Sequence, residues 1–250
     1  VSLKALPAQL PEPPRAVLAV SGHWEEVDFI VSSAAQPGMV YDYSGFPEQT
    51  YHISYPASGS PELAAQVVAL CAKAGIAIGA DPSRGFDHGT FSMMHPIYPD
   101  AHVPVVSLSL RHGYDPAPHI ALGAALAPLR DQGVVIIGSG LSYHNLQMFD
   151  PRAAVPSAAF DAWLRATLTS DPAARIAALE RWDTAPAARI AHPREDHLIP
   201  LMVATGAAGT DPATCIYSQA DLRGGITASA WHFGKDTTPT GYDRLAMVAA

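Results

Sequence analysis

Four histidines stand in company that ordinary structure does not require: His23 in "SGHWEE", His88 in "GFDHGTF", His144 in "LSYHNL" and His197 in "EDHLIP". A neutral imidazole ligates divalent transition metals, and its proton exchange falls near neutral pH. Such residues therefore suit a metal centre, a general acid–base, or both. Asp87 precedes His88 directly, and Glu195 and Asp196 stand just before His197. There is no HExxH and no HxD run, so on residue chemistry alone the reading stops at a histidine-rich metal site. For "FDHG" the plain alternative is an Asp–His pair that stabilises a turn. His52, His102, His112, His119 and His192 read as surface or hydrogen-bonded structural residues. His95, before Pro96, and His232, between Trp231 and Phe233, read as packing residues.

The elements that must position these groups are legible from pattern. "AVLAV", residues 16–20, is a short apolar run that suits a buried strand and leads straight into "SGHWEE". Residues 32–61 are rich in Gly, Pro, Ser and Tyr without a period of 2 or 3.6, which predicts a long ordered loop of the kind that walls a site. Ser60, Pro61 and Glu62 open a helix whose apolar positions Leu63, Val67, Leu70, Cys71 and Ala74 share one face, closed by Gly75. "IAIG", "VPVVSLSL" and "VVIIGSG" read as strands, and His119–Arg130 as a helix that closes near Gly133. Helices follow from about Ser157 to Leu168 and from Ser170, Asp171 and Pro172. Another is expected near Pro193, kinked or broken by Pro200, with His197 in its first turn. "GGITASAWHFG" looks like a terminal strand. Strands alternating with helices predict an α/β sandwich, a single domain with a central mixed sheet flanked by helices. In open α/β sheets ligands collect at strand ends, and His23 and His144 follow strands there, while His88 is expected in a Gly-flanked turn just before "SMMHP".

Composition narrows the function further. The chain has 250 residues, 48% hydrophobic and 15% charged, enough for a substantial core. A net charge of −8 without a Lys/Arg cluster argues against nucleic-acid binding. No apolar run approaches a membrane span, and no basic region followed by an apolar segment suggests a signal peptide. Cys71 and Cys215 fit no zinc spacing, so a reduced, cytoplasmic protein is expected.

Taken in order, "VSGHWE", "YDYSGFPEQTY…YPASGSPELA", "GFDHGTF", "YPDAHVPVVSLSL", "LRDQGVVIIGSGLSYHNL" and "REDHLIPLMVATGAA" resemble the LigB-type (class III) extradiol ring-cleavage dioxygenases, most nearly the 4,5-DOPA extradiol branch. The resemblance runs from about Pro14 to Gly234. It implies that His23 and His197 are metal ligands, with Glu195 a rival to His197. It implies that His144 belongs to the metal site in the DOPA branch and is an acid–base in the wider class. It matches His88 to an active-site histidine, with Asp87 orienting it. Fe(II) is the implied metal, with Zn(II) able to occupy the same ligands. The implied substrates are a catechol and O2, and Tyr43, Phe46 and Tyr51 are candidates for the aromatic wall. Trp24 reads as packing beside His23.

One departure stands out. The family carries an N-terminal strand ending in an "HGSP"-like turn whose His is a further ligand, whereas this chain opens at "VSLKALPAQLPEPP". Residues 1–250 are therefore expected to form one catalytic domain lacking that short strand and its ligand turn. Either the chain is a piece of a longer one, which the absent Met favours, or it binds metal with one ligand fewer. Two rivals share the residues: a zinc-dependent hydrolase and a non-catalytic binding module of the same fold. The identity of the catechol and the oligomeric state stay open, a homodimer among the options.

Overall fold

The computed structural model describes residues 2–10 and 12–234. In chain order the elements are α1 (Ser2–Ala5), β1 (Ala16–Glu26), β2 (Phe29–Ser32), α2 (Pro61–Lys73), β3 (Ile78–Asp81), α3 (His88–Ile97), β4 (Val105–Arg111), α4 (Pro116–Leu126), β5 (Val134–Ser139), α5 (Ala154–Leu168), α6 (Pro172–Leu179), α7 (Ala188–Ala191), α8 (Ile199–Ala208), β6 (Ala213–Leu222) and β7 (Ile226–Phe233). They group into two compact units, Leu3–Gly140 with Ile199–Ala207, and Leu141–Leu198 with the described residues from Ala208 onward.

The first unit holds the central five-stranded sheet, ordered β3-β2-β4-β1-β5. β1 runs parallel to β4 and β5, β2 runs parallel to β3, and β2 meets β4 antiparallel, so the sheet is mixed as expected. Residues Val17–Val20 of β1 are wholly buried. Alternating side chains then meet cover on both faces, which explains the unbroken apolar run. Val17 and Ala19 join a core with Phe91, Met94 and Ile97 of α3, while α2 packs on β2 and β3. Ser60 caps α2 by accepting from the Leu63 N–H, with Pro61 at the first helical position.

β1 continues beyond the predicted run through Ser21, Gly22 and His23 to Glu26, with a register shift between Val20 and Glu25. A bulge of this kind re-aims side chains. Two further expectations are corrected. His88 does not sit in a free turn but opens α3, capped by Asp87. The helix expected near Pro193 begins at Ile199 with Pro200 in its first turn, so Pro200 starts the helix rather than kinking it, and His197 lies in the turn before.

The second unit is built on α5, which packs against the β6–β7 hairpin, α6 and α7. Only β7 was legible as a strand. Arg175 is 1% exposed, and its guanidinium donates to the carbonyls of Asp211 (3.0 Å) and Gly209 (2.8 Å) while lying over the Phe233 ring. Carbonyl dipoles solvate the guanidinium, and the Asp211 charge adds to them. Among the described residues no helix is long and apolar enough to cross a membrane.

Candidate functional site

Within the first unit, the loop expected to wall a site comes down beside α3. Phe86 N–H donates to Gly38 O, Val40 N–H donates to Phe86 O, and Met39 bridges to Phe86. Gly85 permits this approach, because a Cβ there would stand 2.5 Å from the Gly38 carbonyl oxygen. The bridge carries Asp42 to His88. Asp42 Oδ1 accepts from the His88 backbone N–H at 2.9 Å and lies 2.9 Å from His88 Nδ1, while Oδ2 lies 3.2 Å from His23 Nδ1. The His23 and His88 ring centroids are 3.8 Å apart. Gly89 makes room for that, since a Cβ would meet Ser21 Oγ at 2.5 Å and His23 Cδ2 at 2.9 Å. Both glycines of "GFDHG" are thus required by close packing. Burial raises the pKa of the Asp42 carboxyl, but its hydrogen bonds from His88 outweigh that and hold it below the usual carboxylate range.

The carboxylate on His88 is therefore that of Asp42, and the expected orienting role of Asp87 is corrected. Asp87 is fully buried and committed elsewhere: Oδ1 accepts from Ser21 Oγ (2.8 Å) and from the Thr90 N–H (2.9 Å), and Oδ2 pairs with Arg84 (2.9 Å). Ser21 Oγ in turn accepts from the His23 N–H, so Asp87 braces the strand that carries His23. Trp24 is buried under Arg84, in keeping with packing. Tyr43 sets its edge on His88 at 5.3 Å and contacts Phe46 and Tyr51, so the three aromatic candidates do come together. The Tyr43 and Tyr41 hydroxyls donate to the carbonyls of Thr50 and Ile53, which stiffens the wall.

The second unit holds a matching arrangement. His144 and His197 stack with centroids 3.4 Å apart and planes 21° apart. The segment bearing His144 is stitched in place: Leu141 N–H donates to His197 O, His144 N–H to Ala191 O, and Asn145 Nδ2 to Ile190 O. Asp196 serves both rings, with Oδ2 3.1 Å from His197 Nδ1 and Oδ1 3.9 Å from His144 Nδ1. Burial raises the Asp196 pKa, but the adjacent His197 and His144 rings lower it further than burial lifts it. Glu195, the rival ligand, is drawn off to Arg189 at 2.7 Å. His192 is buried beneath this segment, with Nε2 3.1 Å from Ser142 O; burial, above all, pushes its pKa down to about 4.

Each pair of imidazoles thus shares one carboxylate, and in each trio the ligand atoms lie within 4.8 Å of one another. Asp196 Oδ1 is also a buried oxygen with no hydrogen-bond partner among the described residues. Imidazole nitrogen with carboxylate oxygen is a donor set that fits a divalent first-row metal. Sequence reasoning named all four histidines but passed over Asp42 and used Asp196 only as a neighbour. A carboxylate beside a candidate ligand was the available signal for Asp196, whereas Asp42 lies 46 residues from His88 and gave none.

A family model described as the catalytic LigB subunit of aromatic ring-opening dioxygenase matches residues 4–231. The chain is 40% identical to the 4,5-DOPA dioxygenase extradiol of Beta vulgaris over 201 residues, covering 78% of this chain and 74% of that protein. It is 34% identical to the dioxygenase tasH of Hapsidospora irregularis over 235 residues, covering 88% and 72%. The crystal structure of an uncharacterized protein from Escherichia coli K12 superposes with a TM-score of 0.77 at 29% identity, covering 93% and 91%. Fold, histidine chemistry and relatives agree, and the chain belongs to the LigB family of extradiol, aromatic ring-opening dioxygenases.

Proposed function

We propose that this enzyme opens a catechol-type ring next to its diol with O2, that Fe(II) is its working metal, and that His23 and His197 are metal ligands. The observation that carries the reading is that each of these histidines sits beside a second histidine and a shared carboxylate, in a chain of this family. Ferrous iron, when bound, brings catecholate and O2 to one centre and passes electron density between them, which removes the spin barrier to direct reaction.

The protein supplies the proton chemistry and the positioning. His144, stacked on His197, takes the catechol proton and later returns it as the O–O bond is broken, a role typically worth about 10² to 10⁴-fold. His88 hydrogen-bonds the substrate oxygen or O2. Tyr43, Phe46 and Tyr51 offer apolar edges to the ring. DOPA, which the name of the Beta vulgaris relative carries, heads the substrate panel. The free thiols of Cys71 and Cys215 are in keeping with a reduced, cytoplasmic protein. The chain acts as one catalytic domain.

The test is anaerobic Fe(II) loading followed by metal analysis and an oxygen-electrode trace with a catechol panel. Iron bound by the wild-type chain and reduced in His23→Ala and in His197→Ala, with O2 consumed only in the presence of a catechol, is the expected result. His144→Ala should keep iron and lose turnover; loss of iron instead makes His144 a ligand. Turnover with zinc and without O2 overturns the reading.

A further inference from the structure

Both sequence neighbours of His144 are buried, Tyr143 at 2% exposure and Asn145 at 8%. The Tyr143 hydroxyl donates to Met148 O at 3.0 Å, and the Met148 N–H donates to Asn145 O at 3.0 Å, which ties down a short 3₁₀ turn over Leu146–Met148. Asn145 Oδ1 caps that turn by accepting from the Gln147 N–H at 3.0 Å. The other end of the same amide, Nδ2, donates to Ile190 O at 2.8 Å. One residue earlier, the His144 N–H donates to Ala191 O at 2.9 Å. These are the last two carbonyls of α7, which no later turn of helix satisfies. We propose that Asn145 is a positioning residue for His144: its side-chain amide spans the capped turn and the end of α7 and so fixes the direction in which the His144 ring projects. The catalytic half of this inference rests on the role given to His144 above; the grip on the backbone does not.

The amide fits only one way round. Nδ2 faces a carbonyl and Oδ1 faces an N–H, and exchanging them would set acceptor against acceptor and donor against donor. With both ends engaged in a buried place, the side chain cannot change rotamer without leaving a polar group unmet. Upstream, the segment is held by Leu141 N–H on His197 O and by Ser142 O against His192 Nε2 at 3.1 Å. Asn145 holds it on the downstream side. A tilt at the His144 Cα is magnified along the side chain, and the ring it would move is stacked on His197. Misplacing a reacting group by about 1 Å can cost about 10²-fold in rate.

The test compares the full chain with Asn145→Ser and Asn145→Asp. Serine keeps an oxygen for the Gln147 N–H and lacks the amide that reaches Ile190; aspartate keeps the size and the cap but turns an oxygen on the Ile190 carbonyl. Exchange of the His144 amide is followed by NMR before metal loading. After Fe(II) loading, kcat per bound iron and KM are measured for the catechol that wild type turns over. The His144 amide should be protected in wild type and exchange at least about tenfold faster in both variants. In both, kcat should fall by about 10- to 100-fold with KM within about threefold of wild type. A purely structural asparagine would lower Tm and leave kcat of the folded variants unchanged, and that result overturns the proposal. So does an amide equally slow in wild type and variants, or a rise in KM alone. A His144 amide that exchanges freely in wild type overturns it even if neither variant folds. A wild-type chain that takes up no O2 with any catechol strikes the catalytic half together with the proposed function, while the exchange rates still decide the grip.

Discussion

Gly123 of α4 and Gly206 of α8 meet back to back, and replacing either by alanine tests the packing that holds α8 in the first unit. A Cβ on Gly123 would stand 2.0 Å from Val203 O and 2.8 Å from Ala207 N; a Cβ on Gly206 would stand 2.0 Å from Ile120 O and 2.9 Å from Ala124 N. Ordinary contact begins near 3.4 Å, so the helices must part by about 1.4 Å to admit either methyl group. The opposing atoms are backbone, which leaves no rotamer to absorb the clash. Overpacking of this kind lies at the upper end of the usual range, about 3 kcal/mol. Alanine returns about 1 kcal/mol through better helix propensity. The net expectation for Gly123→Ala is a loss of about 2 kcal/mol, or about 4–8 °C in Tm for a chain of this size. Gly38→Ala is the control: a Cβ there meets nothing within 4 Å, and its effect should stay within about 0.5 kcal/mol. The double variant Gly123→Ala/Gly206→Ala should cost less than the two singles together, because parting the helices for one methyl makes room for the other. Thermal and urea unfolding measure all four proteins. A Gly123→Ala protein as stable as wild type, or more so, would refute the backbone contact.

Two further outcomes follow from the same geometry. Asp87→Asn turns an amide donor toward Arg84 in a buried site and should cost about 2–3 kcal/mol, less than a fully buried pair because Arg84 keeps some water; urea unfolding checks the loss, and a changed His88 tautomer in this variant would restore Asp87 to the orienting role. His119 is buried, donates from Nδ1 to Asp115 O and accepts at Nε2 from the Arg111 N–H, and burial, above all, depresses its pKa from 6.5 to about 4. The unfolded chain therefore takes up a proton before the folded one does, so stability is intact above pH 6.5, falls as pH drops toward 4 by at most about 3 kcal/mol, and then levels. Urea titrations across that window should show the fall in wild type and a shallower one in His119→Gln, and equal slopes would sink the assignment.

How far pattern reaches is clearest where cause is local. Ser60, Pro61 and Glu62 announce the start of α2 because a cap, a fixed φ and a favourable charge all act within one turn. The apolar run of β1 is equally plain, since burial on both faces demands it; that of β5 is plain too, although its strand ends the sheet and is mostly half-buried. α3 was harder: its cap, Asp87, read as a partner for the adjacent histidine, and Gly89 and Pro96 lie within the helix. α8 was misplaced because a proline in the first turn of a helix and a proline that breaks one look alike in sequence. β6 escaped notice, being polar on much of its exposed face.

The identity of the chemistry was in the chain itself. His23, His88, His144 and His197 stand out by type and by neighbours, and the ordered motifs around them mark the family, because ligand and acid–base roles admit few residue types. Which carboxylate serves which imidazole was decided only by tertiary structure. Asp87, next to His88 in sequence, points back into the helix end and the Ser21 hydroxyl, while Asp42 arrives from a loop laid alongside by backbone pairing at Phe86. Adjacent residues on a chain diverge as the backbone turns, and hydrogen-bond partners are chosen by the folded path, so a long-range contact made through one loop left no periodic trace in the sequence.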